Sequence, residues 1–253
     1  YSILLQGIIL TLCSLSLSAQ SVENKIINQT FSIFAYSNNL EIAPKFSLTN
    51  EVQERNFIRP LKQSQFSVRT QINYNFWKNW IAAAGFAYYL SSPGDPYSLS
   101  SLVVPEVRLN QDLNYKQRFS AFSIGHRGRI EERFINKSIN DTLVEGYKFK
   151  ERLSYMLSFE YYLLKKDKVH SLTFKASDGI SIYINKSRTN IFDQNRFYTG
   201  LNYQVEKNIY LELGYIKIFQ QLSSGNRFYN RDMASVIINH KLKIKNQEHK
   251  QEL

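Results

Sequence analysis

The chain predicts an all-β protein, specifically a transmembrane antiparallel up-and-down β-barrel of about ten to twelve strands. Three observations predict it. Ser67, Arg69, Gln71, Asn73 and Asn75 alternate strictly with Phe66, Val68, Thr70, Ile72, Tyr74 and Phe76, and similar alternation recurs along the chain. A strand points successive side chains to opposite faces, so each such run has one polar and one apolar, aromatic-rich face. The links between runs alternate between short and long, as at the two ends of an outer-membrane barrel. Finally, the chain begins like an exported protein.

Taken in order, strand-like runs fall at Gln29–Asn38, Lys45–Ile58, Ser64–Trp77 and Trp80–Ser91. The third is the alternating segment above, and Lys78-Asn79 is a tight polar turn between it and the fourth. Leu102–Tyr115 sets Glu106, Arg108, Asn110, Asp112 and Asn114 against Val107, Leu109, Leu113 and Tyr115. Arg118–Asn136 follows the turn Lys116-Gln117. Tyr147–Leu164 sets Lys150, Arg152, Ser154, Ser158 and Glu160 against Leu153, Tyr155, Leu157, Phe159 and Tyr161. Val169–Asn185 follows the short link Lys165–Lys168 and contains an Asp178-Gly179 break, a candidate bulge. Asn195–Val205 leads through Glu206-Lys207 to Asn208–Leu222, where Ile209, Leu211, Leu213, Tyr215 and Phe219 oppose Tyr210, Glu212 and Gly214. Met233–Ile244 closes the set. The longer links are Ser92–Ser101, Lys137–Gly146, Lys186–Gln194 and Ser223–Asp232. Eleven runs is an odd count, whereas single-chain bacterial barrels use even numbers. The expectation is therefore that Gln29–Asn38 is not a strand or that a bend hides a twelfth.

Charges on the polar faces would each cost roughly several kcal/mol if packed unpaired in a dry core. Those faces therefore line a wet or ion-paired lumen, and the apolar faces meet lipid. No later stretch approaches the ~20 apolar residues of a spanning helix. Residues 1–19 read as a signal peptide, with Ile3–Leu12 largely apolar and Ser18-Ala19 small ahead of Gln20. Cleavage after Ser18 is a close alternative. A lipoprotein site at Cys13 is disfavoured because Leu12 stands where a small residue belongs. Residues 20–244 form one barrel domain, and 245–253 a polar C-terminal tail. Cys13 is the only cysteine, so the mature chain is expected to hold neither a thiol nucleophile nor a cysteine metal site. With 17 Tyr, 17 Phe, 10 Gly and 5 Pro, the chain is aromatic-rich without being low-complexity. Its net charge of +11 is dispersed and interleaved with Asp and Glu. That dispersal, with no nucleic-acid motif, argues against a nucleic-acid partner and for an anion-lined pore or contact with anionic lipid.

The densest constellation is His126-Arg127-Gly128-Arg129-Ile130-Glu131-Glu132-Arg133-Phe134. Arg127, Arg129, Glu131 and Arg133 share a face, and with Arg108 and Arg152 they form a lumen charge ladder. Interleaved Arg and Glu can rigidify a small barrel through charge-assisted hydrogen bonds. The same ring of arginines would favour anions. His126 falls in phase with Phe122, Ile124 and Ile130, which aims it at lipid. In Phe192-Asp193-Gln194-Asn195-Arg196-Phe197-Tyr198-Thr199-Gly200-Leu201, Asp193 and Arg196 are expected to pair across a turn and anchor a loop. Four scattered histidines give no metal site, and no cofactor is expected. Glu131 and Glu132 point to opposite faces and cannot share a substrate.

Gly125–Phe134, the Phe-Asp-Gln-Asn-Arg run and Leu211-Glu212-Leu213-Gly214-Tyr215 together resemble a Bacteroidota outer-membrane family known as domain of unknown function 2490. The resemblance covers nearly all of 22–244 and implies an outer-membrane barrel in a Gram-negative host. It supplies no catalytic or ligand-binding residue. One departure is that the last strand ends at Leu242 and Ile244 rather than on an aromatic residue. The expected role is a non-enzymatic narrow channel or structural barrel in the cell outer membrane. Its partners would be lipid, lipopolysaccharide and the barrel-assembly machinery. Two alternatives are a membrane-embedded hydrolase of lipid or lipopolysaccharide and a soluble secreted barrel that binds a small ligand. Ser223-Ser224-Gly225-Asn226 superficially resembles the loop of an outer-membrane phospholipase, but that chemistry needs a histidine holding the serine proton, and none lies just upstream.

Overall fold

The computed structural model describes residues 24–166, 169–184 and 191–244. The stretches read as a signal peptide (1–19) and as a polar tail (245–253) lie outside the described residues. Eleven strands are described: β1 (Lys25–Ala43), β2 (Phe46–Phe57), β3 (Lys62–Trp77), β4 (Trp80–Ser91), β5 (Val104–Arg118), β6 (Phe122–Ile139), β7 (Thr142–Lys166), β8 (Val169–Tyr183), β9 (Phe192–Glu206), β10 (Ile209–Gln221) and β11 (Arg227–Lys243). They form one closed barrel in which each strand pairs antiparallel with its sequence neighbour.

The closure itself is parallel, β1 against β11, in register from Lys25↔Arg227 to Glu41↔Lys243. An odd number of meandering strands leaves the first and last running the same way, so no antiparallel closure exists. The parity expectation is thereby corrected. Gln29–Asn38 belongs to a long strand, and the described residues hold no twelfth. Parallel pairing is slightly weaker per residue, yet here it leaves no open edge.

Several expected links prove to be strand. Lys116 and Gln117 lie inside β5, and the turn falls at 119–121. Lys137–Gly146 forms the tip of a long β6–β7 hairpin turned at Asn140 and Asp141, whose φ values of 47° and 61° suit a two-residue primed turn. Phe192–Gln194 belong to β9, and β11 begins at Arg227, so both of those links are shorter than expected. The 92–103 link remains long. It lies at the same rim as the 58–61 and 222–226 links, opposite the tight turns at 44–45, 78–79 and 207–208.

The alternation of β3 is read out directly: Ser67 is buried inside, while Val68, Ile72, Tyr74 and Phe76 are exposed outside. Leu153, Leu157, Leu201, Leu213 and Ile238 continue this apolar outer face around the barrel. Near the short-turn rim the outer face carries a chain of rings: Phe46, Tyr74, Phe76, Trp80, Tyr115, His126 and Tyr155. Each centroid lies 4.7–6.5 Å from the next. His126 faces outward, and its Nδ1 meets the Tyr155 hydroxyl at 2.7 Å. Toward the other rim, Phe134 pairs with Phe149, and Phe192, Phe219 and Phe228 form a second chain.

The interior has two unlike halves. Beneath the parallel seam lies an apolar cluster of Phe31, Ile33, Phe57, Ile216, Ile218 and Met233, with Tyr198 packed against it. The expectation that apolar side chains all face outward is corrected there. Gly200 and Gly214 make room for the Tyr198 ring. A Cβ on Gly214 would lie 2.5 Å from that ring, and one on Gly200 would lie 2.6 Å from the Leu213 carbonyl oxygen. The remaining wall carries the charged ladder.

Candidate functional site in the barrel lumen

Glu106 on β5 is the first hub of that ladder. Its Oε1 accepts from Arg133 Nε and from Arg108 Nε, each at 2.6 Å. Arg108 also stacks 3.8 Å over the Tyr89 ring and approaches Glu131 at 4.0 Å. Glu131 in turn accepts from Arg152 Nε at 2.7 Å. Arg152 donates its Nη1 to Asp193 Oδ2 at 2.9 Å, and Asp193 Oδ1 accepts from Gln220 at 3.2 Å. Gln220 Oε1 accepts from Arg231 at 2.8 Å, and Arg231 Nε donates to Gln29 Oε1 at 2.9 Å. Gln29 Nε2 then donates to the carbonyl of Gly94 at 2.6 Å. This chain of polar contacts runs around the wall through β6, β5, β7, β9, β10, β11 and β1, and ends on the 92–103 loop.

The 92–103 loop therefore folds over its rim rather than away from it. Besides Gln29, Lys62 holds it through Ser98 O at 3.4 Å, and Ser100 meets Asp141 on the β6–β7 hairpin. Gly94 is small because the Tyr229 hydroxyl would lie 2.8 Å from any Cβ there. Under the loop is a cavity of about 730 Å³ lined by Gln29, Phe57, Arg59, Tyr97, Arg227 and Tyr229. A second cavity of about 480 Å³ opens toward the short-turn rim among Asn39, Lys116, Glu160, Lys175, Asn202 and Lys241. The ladder lies between them.

A second branch starts at Arg129, which grips Asp112 through two bonds of 2.7 and 2.6 Å. Asp112 accepts from Asn110, which reaches Gln71 at 3.1 Å. Arg69 pairs with Glu51. Arg108, Arg127, Arg129, Glu131, Arg133 and Arg152 thus all stand on the inner face, and five of the six are in this network.

Arg127 is the exception. Its Nε is buried without a hydrogen-bond partner, as is that of Arg55. The expected Asp193–Arg196 pair is corrected. A β-bulge between Ser181↔Gln194 and Ile182↔Phe192 leaves Asp193 unmatched on β8 and tucks it inside, fully buried, against Arg152. A bulge places one extra residue on its strand, so Asp193 joins Gln194 and Arg196 on the inner face, where it meets Arg152 rather than Arg196. Arg196 is exposed although it stands inside the wall, so part of its side chain borders the lumen. Sequence reading left Arg55, Arg69 and Arg231 out of the ladder. Their in-phase positions on polar faces were the available signal. Nine mid-lumen arginines (Arg55, Arg69, Arg108, Arg127, Arg129, Arg133, Arg152, Arg196 and Arg231) meet five carboxylates (Glu51, Glu106, Asp112, Glu131 and Asp193).

Ser223 lies in the 222–226 link, whereas His126 and His240 sit on the outer face toward the other rim, against Tyr155 and Tyr36. The described residues hold no group of three or more His, Cys, Asp or Glu arranged for a metal ion.

No curated protein matches the chain. The family model described as protein of unknown function (DUF2490) matches residues 32–229, and the chain belongs to that family.

Proposed function

We propose that this barrel spans an outer membrane and acts as a narrow, anion-preferring channel or structural barrel without enzymatic chemistry of its own. The observation that carries the reading is the pairing of its two faces. Outside, apolar side chains between two aromatic tiers match the lipid-facing band and girdles of membrane barrels. A water-soluble monomer rarely exposes so large a contiguous apolar surface. Inside, arginines outnumber carboxylates, and rings of cationic side chains favour anions.

The 92–103 loop is the constriction at the outer rim, and the Arg–Glu ladder narrows the waist, so conductance is small. The longer links face outward and the tight turns face the periplasm, in keeping with the usual asymmetry. The test begins with heat-modifiability of the protein extracted from outer membranes, followed by conductance in planar bilayers. A gel shift on boiling, protease resistance and small anion-selective currents are expected. A protein found in the soluble fraction that digests readily would overturn the membrane reading. Silence or cation selectivity in bilayers would overturn the channel.

A further inference from the structure

We propose that the waist of the lumen holds a binding site for a polyvalent oxyanion of the phosphate class, built by Arg55 on β2, Arg127 on β6 and Arg196 on β9. The site deepens the anion-preferring reading above and rests on it. Each mid-lumen carboxylate is already engaged: Glu51 by Arg69, Asp112 by Arg129, Glu106 by Arg108 and Arg133, and Glu131 and Asp193 by Arg152. Arg55, Arg127 and Arg196 have no carboxylate at ion-pair distance among the described residues. Arg196 is the member of the three whose field reaches the other two. Arg69 adds like charge at Arg127 and Arg196, and Asp112 and Glu51, both already engaged by other arginines, offset it only from beyond ion-pair distance.

Inside a protein, charges left unpaired are costly, and a counter-charge supplied by a ligand removes that cost. Guanidinium groups present planar forks of donors that fit phosphate geometry, and the buried Nε atoms of Arg55 and Arg127 are donors with nothing to donate to. Along the strand pairing, Arg127 is separated from Arg196 by Met156 and Gly179, and Gly179 places no side chain in the gap. Arg196 itself borders open lumen. Three lumen cations without a carboxylate partner favour a polyvalent oxyanion over chloride by charge and by hydrogen-bond count.

The test is calorimetric titration of inorganic phosphate into the full-length barrel in detergent, at an ionic strength held constant with sodium chloride. Saturable binding is expected, weakened about tenfold or more by Arg196→Gln and unchanged by Lys217→Gln on the outer face. Heat-modifiability shows whether each variant is folded. Should Arg196→Gln fail to fold, the wild-type barrel carries the same test. Phosphate should protect Arg55, Arg127 and Arg196, but not Arg59 in the rim link, from an arginine-selective dicarbonyl reagent. Absence of saturable binding, binding untouched in folded Arg196→Gln, or absence of protection overturns the site. The channel reading is tested separately: a conducting barrel that ignores phosphate keeps the channel and loses the site. A silent barrel that binds phosphate does the reverse.

Discussion

Asp193→Ala is the most informative single perturbation of the ladder. The carboxylate is fully buried and accepts from Arg152 at 2.9 Å and from Gln220 at 3.2 Å. Removing one partner of a buried ion pair costs about 3–5 kcal/mol, while a hydrogen bond to a charged group contributes about 1.5–3 kcal/mol. Arg152 keeps its bond to Glu131 in the variant, so its charge is not wholly uncompensated. The cost should therefore fall near the lower end, about 3 kcal/mol. Solvent screening does not reduce it, because the side chains of Arg152 and Asp193 are only 11% and 0% exposed. The assay is reversible urea unfolding in lipid vesicles, followed by tryptophan fluorescence and by the heat-dependent gel shift. Arg152→Ala and the double variant complete a cycle, and the coupling between the two should lie in the upper part of the ~0.5–3 kcal/mol range seen for residues in contact. If Asp193→Ala unfolds within about 0.5 kcal/mol of the wild type, as ordinary surface substitutions do, the ladder is not structural and the reasoning fails.

Three further outcomes follow from the same geometry. Met233→Ala empties part of the seam cluster and should cost about 2–5 kcal/mol in that unfolding assay; a neutral result would mean the cluster is loosely packed. Val68→Arg places a charge on the outer face and should cost about 2–4 kcal/mol if that face lies at mid-bilayer. A cost near zero would indicate that Val68 faces water. Deleting 95–101 with a short Gly-Ser bridge removes the loop from the rim, and single-channel conductance should rise at least severalfold while the gel shift is retained. Unchanged conductance would place the constriction in the Arg–Glu waist alone.

What the sequence determined by itself is the set of strands and their two faces. A strand's side-chain period is two, so the alternation around Phe66–Phe76, or in Leu211–Tyr215, assigns sides from local order alone. That is why the inward positions of Arg108, Arg127, Arg129, Glu131, Arg133 and Arg152 were legible without coordinates. Links were less legible, because polar residues such as Lys137 and Asn230 suit a strand beyond the rim as well as a loop.

The tertiary structure decided what depends on distant chain segments. The parallel β1–β11 closure is set by the whole strand count and register, and no local pattern encodes it. Ile216 and Ile218 keep the inward phase of Glu212 and Gly214, and only the closed barrel makes that position apolar, by setting them against Phe31 and Met233; Lys217, between them, takes the outer face. The bulge at Asp193 turns that carboxylate to the inner face, and the meeting of β7 and β9 side chains inside the barrel gives it to Arg152 rather than to Arg196. Which arginine receives a carboxylate is thus a property of the closed barrel, since each charge finds its partner across strands that meet only when the sheet has curled back on itself.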